Sequence, residues 1–268
     1  MVRVSERRAR THATARLSAW LLGCVICGMA HAQPPASEAV IARIKPSIVA
    51  IGTYQASRTP PFRFRGTGFA VGDGRTIATN AHVLSAKIDR EKLEKLVIAL
   101  PLSDGRVEIR TARASTADPS HDLALLRVNE ALPALTVGDD GEVREGHRLL
   151  FTGFPIGNAL GLYPATHRAM VAAITPIAIP LPNGNHLSAD IVRRLSREPF
   201  PVFQLDATAY PGNSGSPLYD PETGEVQGVI NMVFVKGSKE AALSHPSGIT
   251  YAIPAIHLHD LLQREAPQ

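Results

Sequence analysis

The chain of 268 residues carries 28 Lys and Arg against 24 Asp and Glu, a formal net charge of +4. Five of the basic residues and one acidic residue lie within the first 32 positions, so the remainder has 23 of each and no net charge. This balance excludes a polybasic nucleic-acid surface. Both cysteines, Cys24 and Cys27, lie in the same leader, so we expect no disulfide, redox or zinc site in the rest of the chain.

Residues 1–32 have the pattern of an export signal. Arginines 3 to 16 form a positive start, residues 17–30 are apolar, and Ala30-His31-Ala32 is a small-x-small cleavage site before Gln33. The apolar run is too short to span a membrane. An alternative is lipoprotein processing at Cys24. The sequence therefore predicts a signal peptide over 1–32 and a mature chain over 33–268, with membrane contact only during export to the periplasm or the medium.

After the leader, short apolar or alternating runs rich in Val, Ile and Thr are separated by Gly, Pro, Asp and Asn. This spacing is typical of β-barrels or sandwiches, not of strand–helix alternation. Predicted strands cover residues 48–54, 66–71, 76–79, 96–100, 107–112 and 123–128, then 148–152, 167–174, 202–205, 226–235 and 248–253. Pro133 and Gly138-Asp139-Asp140-Gly141 loosen the chain at its midpoint. The pattern predicts an all-β fold of two subdomains joined near residue 140.

Few segments favour helices. Residues 37–44 and 188–196 are predicted short helices, and Pro254 suits the first position of a C-terminal helix over about 254–264. The charged run 89–95 is expected to form a solvated helical turn. Residues 176–201 and 236–246 are long for simple connections, and whether they are functional lids or surface decoration is left open.

Three polar residues in separate segments have the chemistry of acyl transfer. His82 follows a predicted strand, Asp122 directly precedes another, and Ser214 lies in Gly212-Asn213-Ser214-Gly215. A serine hydroxyl needs a base to accept its proton, and the base needs an acid to hold one tautomer. The flanking glycines let the N–H groups of Gly212 and Ser214 converge on an oxyanion. The chain order His, Asp, Ser is the one found in chymotrypsin.

Three other histidines and one aspartate are expected to have structural roles and no role in catalysis. His121 is adjacent to Asp122, and neighbours in an extended segment point to opposite faces, so we expect His121 on the surface. His257 and His259 are two apart on a predicted helix and share no face, so no metal site is expected. Asp206 is expected to support the serine loop by hydrogen bonding.

Six short motifs together resemble the trypsin-like peptidases, in particular their bacterial HtrA/Deg-type branch. They are Gly66-Thr67-Gly68-Phe69, Thr79-Asn80-Ala81-His82-Val83, His121-Asp122-Leu123-Ala124-Leu125, Leu205-Asp206-Ala207, Gly212-Asn213-Ser214-Gly215 and residues 248–254. The resemblance implies two perpendicular six-stranded antiparallel barrels, about 46–140 and 141–254, with short terminal helices. His82 and Asp122 would come from the first barrel and Ser214 from the second. We expect no PDZ-like module.

The resemblance also implies how substrate is held. Gly212, Asn213 and Ser214 would form the oxyanion hole, Thr208 would lie at the base of the primary pocket, and Asn231, Met232 and Val233 would form its wall. Threonine carries no charge to attract Lys or Arg, so a preference for small or medium apolar residues is expected. Asn213 replaces the aspartate that activates trypsin-type zymogens, and Ser216 replaces the usual glycine.

The sequence therefore predicts an exported serine endopeptidase that acts on polypeptide substrates through an acyl-enzyme, without cofactor or metal. Two alternatives stay open: a peptide-binding or holdase protein with little turnover, and an esterase-like hydrolase that uses the same triad. HtrA-type relatives often form trimers through N-terminal segments, and residues 33–41 leave open whether this chain forms such a homo-oligomer.

Overall fold

The computed structural model describes residues 36–85, 87–102, 104–139, 141, 143–176, 200–231 and 248–265. The predicted leader 1–32, the predicted helix 188–196 and nearly all of the loops 176–201 and 236–246 lie outside these residues. Within the described ranges, no helix is both long enough and apolar enough to cross a membrane.

Six antiparallel strands close into the first barrel. They are β1 (Ile48–Tyr54), β2 (Phe62–Val71), β3 (Thr76–Asn80), β4 (Lys95–Pro101), β5 (Val107–Asp118) and β6 (Leu123–Val128). Their order around the barrel is β1-β2-β3-β6-β5-β4. Alternate strand residues point to one face, so apolar side chains from several strands meet in one cluster. Val49, Ile51, Ile77, Ile98 and Leu126 form the fully buried centre of this cluster.

The second barrel repeats this closed arrangement. Its strands are β7 (Arg148–Gly153), β8 (Ala165–Pro176), β9 (Pro201–Asp206), β10 (Pro217–Tyr219), β11 (Val226–Asn231) and β12 (Ile249–Pro254). Their order is β10-β11-β12-β9-β8-β7. Phe151, Val171, Leu205, Leu218 and Ile230 are buried together in its core.

A third apolar cluster combines both barrels with the terminal helices. The helices are α1 (Ala36–Ile44), followed by a 3-10 turn (Lys45–Ser47), the short α2 (Ala81–Leu84) and α3 (Gly157–Leu160), and α4 (Ala255–Glu265). Phe69 of β2 and Phe154 after β7 share this cluster with Ile44 of α1 and with Leu258 and Leu261 of α4. Burial of such side chains is worth about 1.5–3 kcal/mol each, so both helices help to hold the two barrels together.

The predicted all-β fold of two six-stranded antiparallel barrels with short helices is confirmed. β10 was missed, because three residues beginning with a proline are too few to show an alternating pattern. The C-terminal helix begins at Ala255, one residue later than predicted, because Pro254 still pairs with Gly228 across β12 and β11.

The charged run before β4 is only partly solvated. It forms a non-helical turn, and the Glu94 side chain within it is only 8% exposed and pairs with Nη1 of Arg58 at 2.8 Å. Glu94 also accepts hydrogen bonds from the Thr53 hydroxyl at 2.5 Å and from the Asp89 N–H at 2.9 Å. These two hydrogen bonds, together with Arg58, lower the pKa of Glu94 to about 2. The predicted turn is present and residues 90–93 and 95 are exposed, but the turn is not helical and the Glu94 side chain is buried.

Candidate active site

One carboxylate holds His82. β3 ends at Asn80, and α2 begins at the next residue and carries His82 in its first turn. The backbone N–H of His82 donates to Oδ1 of Asp122 at 2.9 Å, and its Nδ1 lies 2.6 Å from Oδ2. The Asp122 side chain is 9% exposed and that of His82 is 26% exposed. Because Nδ1 is engaged, Nε2 remains as the ring nitrogen that can exchange a proton.

Asp122 itself adopts an uncommon backbone conformation, with φ at 53°. A non-glycine residue in this left-handed region costs about 1–2 kcal/mol, so surrounding contacts must hold it there. The Asp122 carbonyl accepts hydrogen bonds from the Ala81 N–H at 3.0 Å and from Nδ2 of Asn80 at 3.1 Å. Its carboxylate also accepts from Nδ2 of Asn231 at 2.8 Å. Asn231 ends β11, so this hydrogen bond joins the second barrel to the acid of the first.

The residues before Ser214 form a tight turn. The Asn213 N–H donates to the Tyr210 carbonyl at 2.9 Å, and Gly212 has φ at 107°. Proline at the second position and a positive-φ glycine at the third are the signature of a type II turn. A Cβ atom on Gly212 would lie 2.3 Å from the Phe154 carbonyl oxygen. Glycine is therefore required at this position for its backbone angle and for its small size.

Two main-chain donors remain around Ser214 after the hydrogen bonds of the loop are counted. Three other N–H groups are engaged: Asn213 with the Tyr210 carbonyl, Gly215 with Ile230 and Ser216 with Asn213. The N–H groups of Gly212 and Ser214 have no acceptor among the described residues. A buried N–H group normally has a partner. These two donors are therefore available to a ligand, and they are the pair whose convergence the sequence predicts.

Two residues outside the loop fix its carbonyl groups. Thr67 of β2 donates its N–H to the Ser214 carbonyl at 2.9 Å and its hydroxyl to the Gly212 carbonyl at 2.7 Å. Ile156 donates its N–H to the Pro211 carbonyl at 2.7 Å, and its own backbone is left-handed with φ at 49°. In a trans peptide the N–H points opposite to the C=O. Anchoring the Pro211 carbonyl therefore directs the Gly212 N–H to the other side of the turn.

The His82 ring and the Ser214 hydroxyl make no direct hydrogen bond in this structure. In enzymes without bound substrate, such bonds are often long and tighten only when substrate arrives. The arrangement therefore has an oriented imidazole, a serine that is 6% exposed, and two available N–H groups. It can support nucleophilic attack and stabilisation of an oxyanion.

A family model for the trypsin-like peptidase domain matches residues 66–229, more than half of the chain. The match contains His82, Asp122, Ser214 and the turn that precedes the serine. The chain belongs to the trypsin-like peptidase domain family.

Similar proteins place this peptidase domain near the HtrA/Deg-type branch, as the motifs predicted. A probable periplasmic serine endoprotease, DegP-like, of Halomonas elongata is 30% identical over 194 residues, which cover 72% of this chain and 33% of that protein. The mitochondrial serine protease HTRA2 of Bos taurus is 29% identical over 201 residues, covering 74% and 36%. The chain thus spans about a third of the length of these relatives.

A solved structure of the HtrA-type protease AlgW with a tripeptide has a similar fold. The TM-score is 0.60 at 26% sequence identity, and the match covers 85% of this chain and 63% of that one. The closed barrels described above are therefore similar to those of this HtrA-type protease.

The pocket predicted for this peptidase domain is only partly described. Thr208 is half-buried, and the neighbouring Ala209 donates its N–H to the Thr250 hydroxyl at 3.1 Å. Asn231 is fully buried, and its side chain contacts Asp122. Met232 and Val233 lie outside the described residues. Among the residues that are described, no group of three His, Cys, Asp or Glu side chains could hold a metal ion.

Three sequence-based expectations about the surroundings of the site are wrong. The Asn213 N–H is engaged by the Tyr210 carbonyl, so it cannot serve as an oxyanion donor beside Gly212 and Ser214. His121 is not a simple surface residue, because its ring stacks on His257. Asp206 is exposed and ends β9, where it pairs with Met170 and Ile249 of neighbouring strands instead of entering the serine loop.

The sequence did not identify two residues that brace the site. Thr67 belongs only to a flanking motif, and Ile156 belongs to no motif at all. The signal for Thr67 was its position between two glycines, which allows close approach of the serine loop: a Cβ on Gly66 would lie 3.1 Å from the Ser214 carbonyl oxygen. No local pattern indicates a left-handed isoleucine.

Proposed function

We propose that this chain is an exported serine endopeptidase that hydrolyses peptide bonds in unfolded proteins through an acyl-enzyme. The observation that carries the proposal is the pair of uncommitted N–H groups, Gly212 and Ser214, beside a serine and a carboxylate-bound histidine. An acyl-transfer site requires two main-chain donors left free for the oxyanion, and Gly212 and Ser214 are the two N–H groups of this loop that have no acceptor among the described residues.

In the proposed reaction, the Ser214 hydroxyl oxygen attacks the substrate carbonyl carbon as Nε2 of His82 takes the hydroxyl proton. The resulting oxyanion accepts hydrogen bonds from Gly212 and Ser214, each worth about 2.7–4 kcal/mol. Asp122 holds Nδ1 of His82 and stabilises the imidazolium. His82 then gives its proton to the leaving amine, the C–N bond breaks, and the acyl group remains on Ser214.

Water completes the cycle in the same site. His82 accepts a proton from water as the water oxygen attacks the acyl carbon, and returns that proton to the Ser214 oxygen when the ester bond breaks. Each residue therefore ends in its starting state. The proposal requires no cofactor or metal, because the base, the acid and the oxyanion donors are supplied by the chain.

An activity-based probe tests the proposal directly. We expect a peptidyl phosphonate to label the wild-type protein and not Ser214→Ala. Ser216→Ala is the matched control, because Ser216 lies two positions away and is fully buried. Equal labelling of wild type and Ser214→Ala would assign the reactive group elsewhere. Failure of the wild type to be labelled would favour the peptide-binding or holdase alternative.

The esterase alternative is separated by substrate choice. A peptidase has to stabilise the departure of a poor leaving group, the amine, which an activated ester does not require. Digestion of a reduced and unfolded protein, read by mass spectrometry, is therefore expected to yield internal cleavages that depend on Ser214. Hydrolysis of small esters without any peptide cleavage would support the esterase assignment.

The proposed preference at the residue before the scissile bond is for small or medium apolar side chains. Thr208 is uncharged, and the proposed wall of the pocket is the backbone of Asn231, Met232 and Val233, where an extended substrate would add as a strand. Cleavage of a peptide library after Lys or Arg would contradict this preference. Thr208→Asp is expected to shift cleavage toward those basic residues.

Export is proposed from the predicted signal over residues 1–32 and from the periplasmic DegP-like proteins to which the chain is similar. The resemblance to HtrA-type peptidases implies a homotrimer, and light scattering of the mature chain tests it. N-terminal sequencing of the exported protein is expected to begin at Gln33, whereas lipidation would leave Cys24 at the N-terminus.

A further inference from the structure

Two histidines are stacked next to the segment that carries Asp122. The His121 and His257 rings lie 3.9 Å apart at an angle of 15°. Phe200 closes the stack with its edge, at 4.5 Å from His121 and 5.0 Å from His257. His121 precedes Asp122 directly, and His257 belongs to α4. The stack therefore joins the C-terminal helix to the segment that carries Asp122.

A single carboxylate organises the charges around this stack. Oδ2 of Asp118 lies 2.9 Å from Nδ1 of His121 and accepts a hydrogen bond from Nη2 of Arg264 at 2.7 Å. Oδ1 accepts the N–H groups of Ser120 and His121, which fixes the turn leading into Asp122. Burial alone would raise the pKa of Asp118, but the bonds from His121 and Arg264 hold this pKa well below its usual range.

Asp118 provides a single negative charge beside two imidazole rings and the Arg264 guanidinium. Asp118 already pairs with Arg264, and the other acidic group that acts on His257 is Asp260 of α4. Nε2 of His257 is buried and has no hydrogen-bond partner among the described residues. If both rings carried charge, two imidazolium ions would lie face to face beside a guanidinium, which is a repulsive arrangement at short range.

We propose that the His121–His257 stack is a pH-sensitive latch that holds α4 against the segment carrying Asp122 at neutral pH and loosens it in acid, so that α4 opens more often. His121 and Asp118 then act as positioning residues for Asp122, because the turn that they hold leads into its left-handed backbone. Loss of the helix removes Arg264 from Asp118 and His257 from His121 together.

The direction of the pH effect follows from His257. Burial, reinforced by His121, lowers the pKa of His257 from 6.5 to about 4 in the docked state. In a released helix the ring is solvated and titrates near its ordinary value. The released state therefore binds more protons between these limits, so docking is fully favoured above 6.5 and weakens as pH falls toward 4. Linkage limits the total gain of the released state to about 300-fold at pH well below 4, and about 100-fold of it is gained between pH 7 and pH 4.

Hydrogen exchange measures this release without any need for catalysis. Backbone amides of α4 and of the turn at residues 120 and 121 are followed between pH 7 and 4, with rates corrected for the intrinsic pH dependence. We expect the opening constant of both segments to rise by about 100-fold in the wild type. His257→Phe retains an apolar aromatic ring in the stack but cannot titrate, and its rise is expected to be less than about tenfold.

His259→Phe is the matched control, because His259 lies on the same helix and contacts the Gly138 carbonyl outside the stack. It is expected to follow the wild type. His257→Leu serves as a second non-titrating variant should the phenylalanine fail to fold at pH 7.5. An equal acid response in the His257 and His259 variants, or none in the wild type, would overturn the latch.

Activity gives a separate reading of the coupling to Asp122. This part rests on the proposed peptidase function. The exchange experiment is therefore also carried out on the Ser214→Ala protein, in which the opening of α4 is measured without any catalysis. With a reporter peptide, the acid limb of kcat/KM is expected to be steeper in the wild type than in His257→Phe. The wild type could show acid-induced opening of α4 and yet have the same decline of kcat/KM in acid as His257→Phe. That result would support the opening of the helix and overturn its coupling to Asp122. A protein that cleaves no reporter at any pH would refute the proposed function, and the exchange data would still decide the latch.

Discussion

The backbone N–H of Ile156 donates a 2.7 Å hydrogen bond to the carbonyl oxygen of Pro211. This contact anchors the peptide that joins Pro211 to Gly212, and the Gly212 N–H points the opposite way. Rotation of that peptide by half a turn would present a carbonyl oxygen to the developing oxyanion in place of a donor. The left-handed backbone of Ile156 is therefore the support on which the proposed oxyanion hole depends.

Ile156→Pro tests this support. Proline has no N–H and fixes φ near −65°, so it can neither make the bond nor adopt the observed φ of 49°. We expect kcat to fall by about 100-fold, the effect of losing one oxyanion donor, with KM little changed. The kinetics of a reporter peptide check this split.

Leu93→Pro is its control, because Leu93 has φ at 55°, is 77% exposed and donates its N–H to the Arg90 carbonyl. It makes the same backbone change outside the site. A similar loss of kcat in both variants would show a general effect on folding instead of a support for Gly212.

Gly212→Ala tests the shape of the turn. The added Cβ would lie 2.3 Å from the Phe154 carbonyl oxygen and 2.8 Å from the Phe64 ring, so the turn must change its conformation. We expect a loss of kcat of at least about 100-fold. Gly72→Ala is matched to it, because Gly72 also has positive φ but open space around it. Gly72→Ala is expected to lose about 1–2 kcal/mol of stability and no activity. An equal loss of kcat in the two variants would contradict the proposed role of Gly212 in the oxyanion hole.

Asn231→Ala tests the hydrogen bond between the two barrels. Removal of Nδ2 leaves the buried Asp122 carboxylate with one donor fewer, which is expected to lower the free energy of unfolding by about 1–3 kcal/mol. Because Asp122 orients His82, we also expect kcat to fall about tenfold. Gln227→Ala removes another buried amide from the same strand, away from the site. It should lose stability alone, and a kcat loss there as large as that of Asn231→Ala would contradict the argument.

Glu94→Gln tests the buried charge before β4. The pKa of Glu94 is about 2 in the folded protein against 4.5 ordinarily, so the folded state binds this proton less readily than the unfolded state. Its ionised form therefore stabilises the protein above pH 4.5, and the contribution is lost as pH falls toward 2. We expect the variant to be about 2 kcal/mol less stable at pH 7. Denaturation at a series of pH values should show the difference shrink below pH 4.5; a constant difference would exclude the charge as its source.

The sequence predicted the barrels well because each strand carries its own signal. Eleven of the twelve strands were anticipated as apolar or alternating runs, and β1 and β6 match to the residue. β10 is too short for such a signal, and its first residue, Pro217, indicates a loop. It is a strand because its neighbours β7 and β11 provide partners, which is a tertiary effect.

The site was only partly predictable for a related reason. His82, Asp122 and Ser214 stand in motifs whose chemistry is readable one residue at a time. Ile156 acts through a backbone N–H, which every residue except proline possesses. Its side-chain identity therefore gives no indication of this role. His121 was misjudged because the rule of alternating faces fails at a left-handed residue, and Asp122 is such a residue.

Thr67 and Asn231 give the molecule a property that neither barrel has alone. Each reaches from its own barrel to a group that the proposed chemistry uses in the other: Thr67 holds the carbonyls of Ser214 and Gly212, and Asn231 holds Asp122. The proposed reactive centre therefore lies at the interface between the two barrels. If one barrel moves relative to the other, both of these hydrogen-bond sets are broken, so we expect the geometry of the proposed site to be lost before either barrel unfolds.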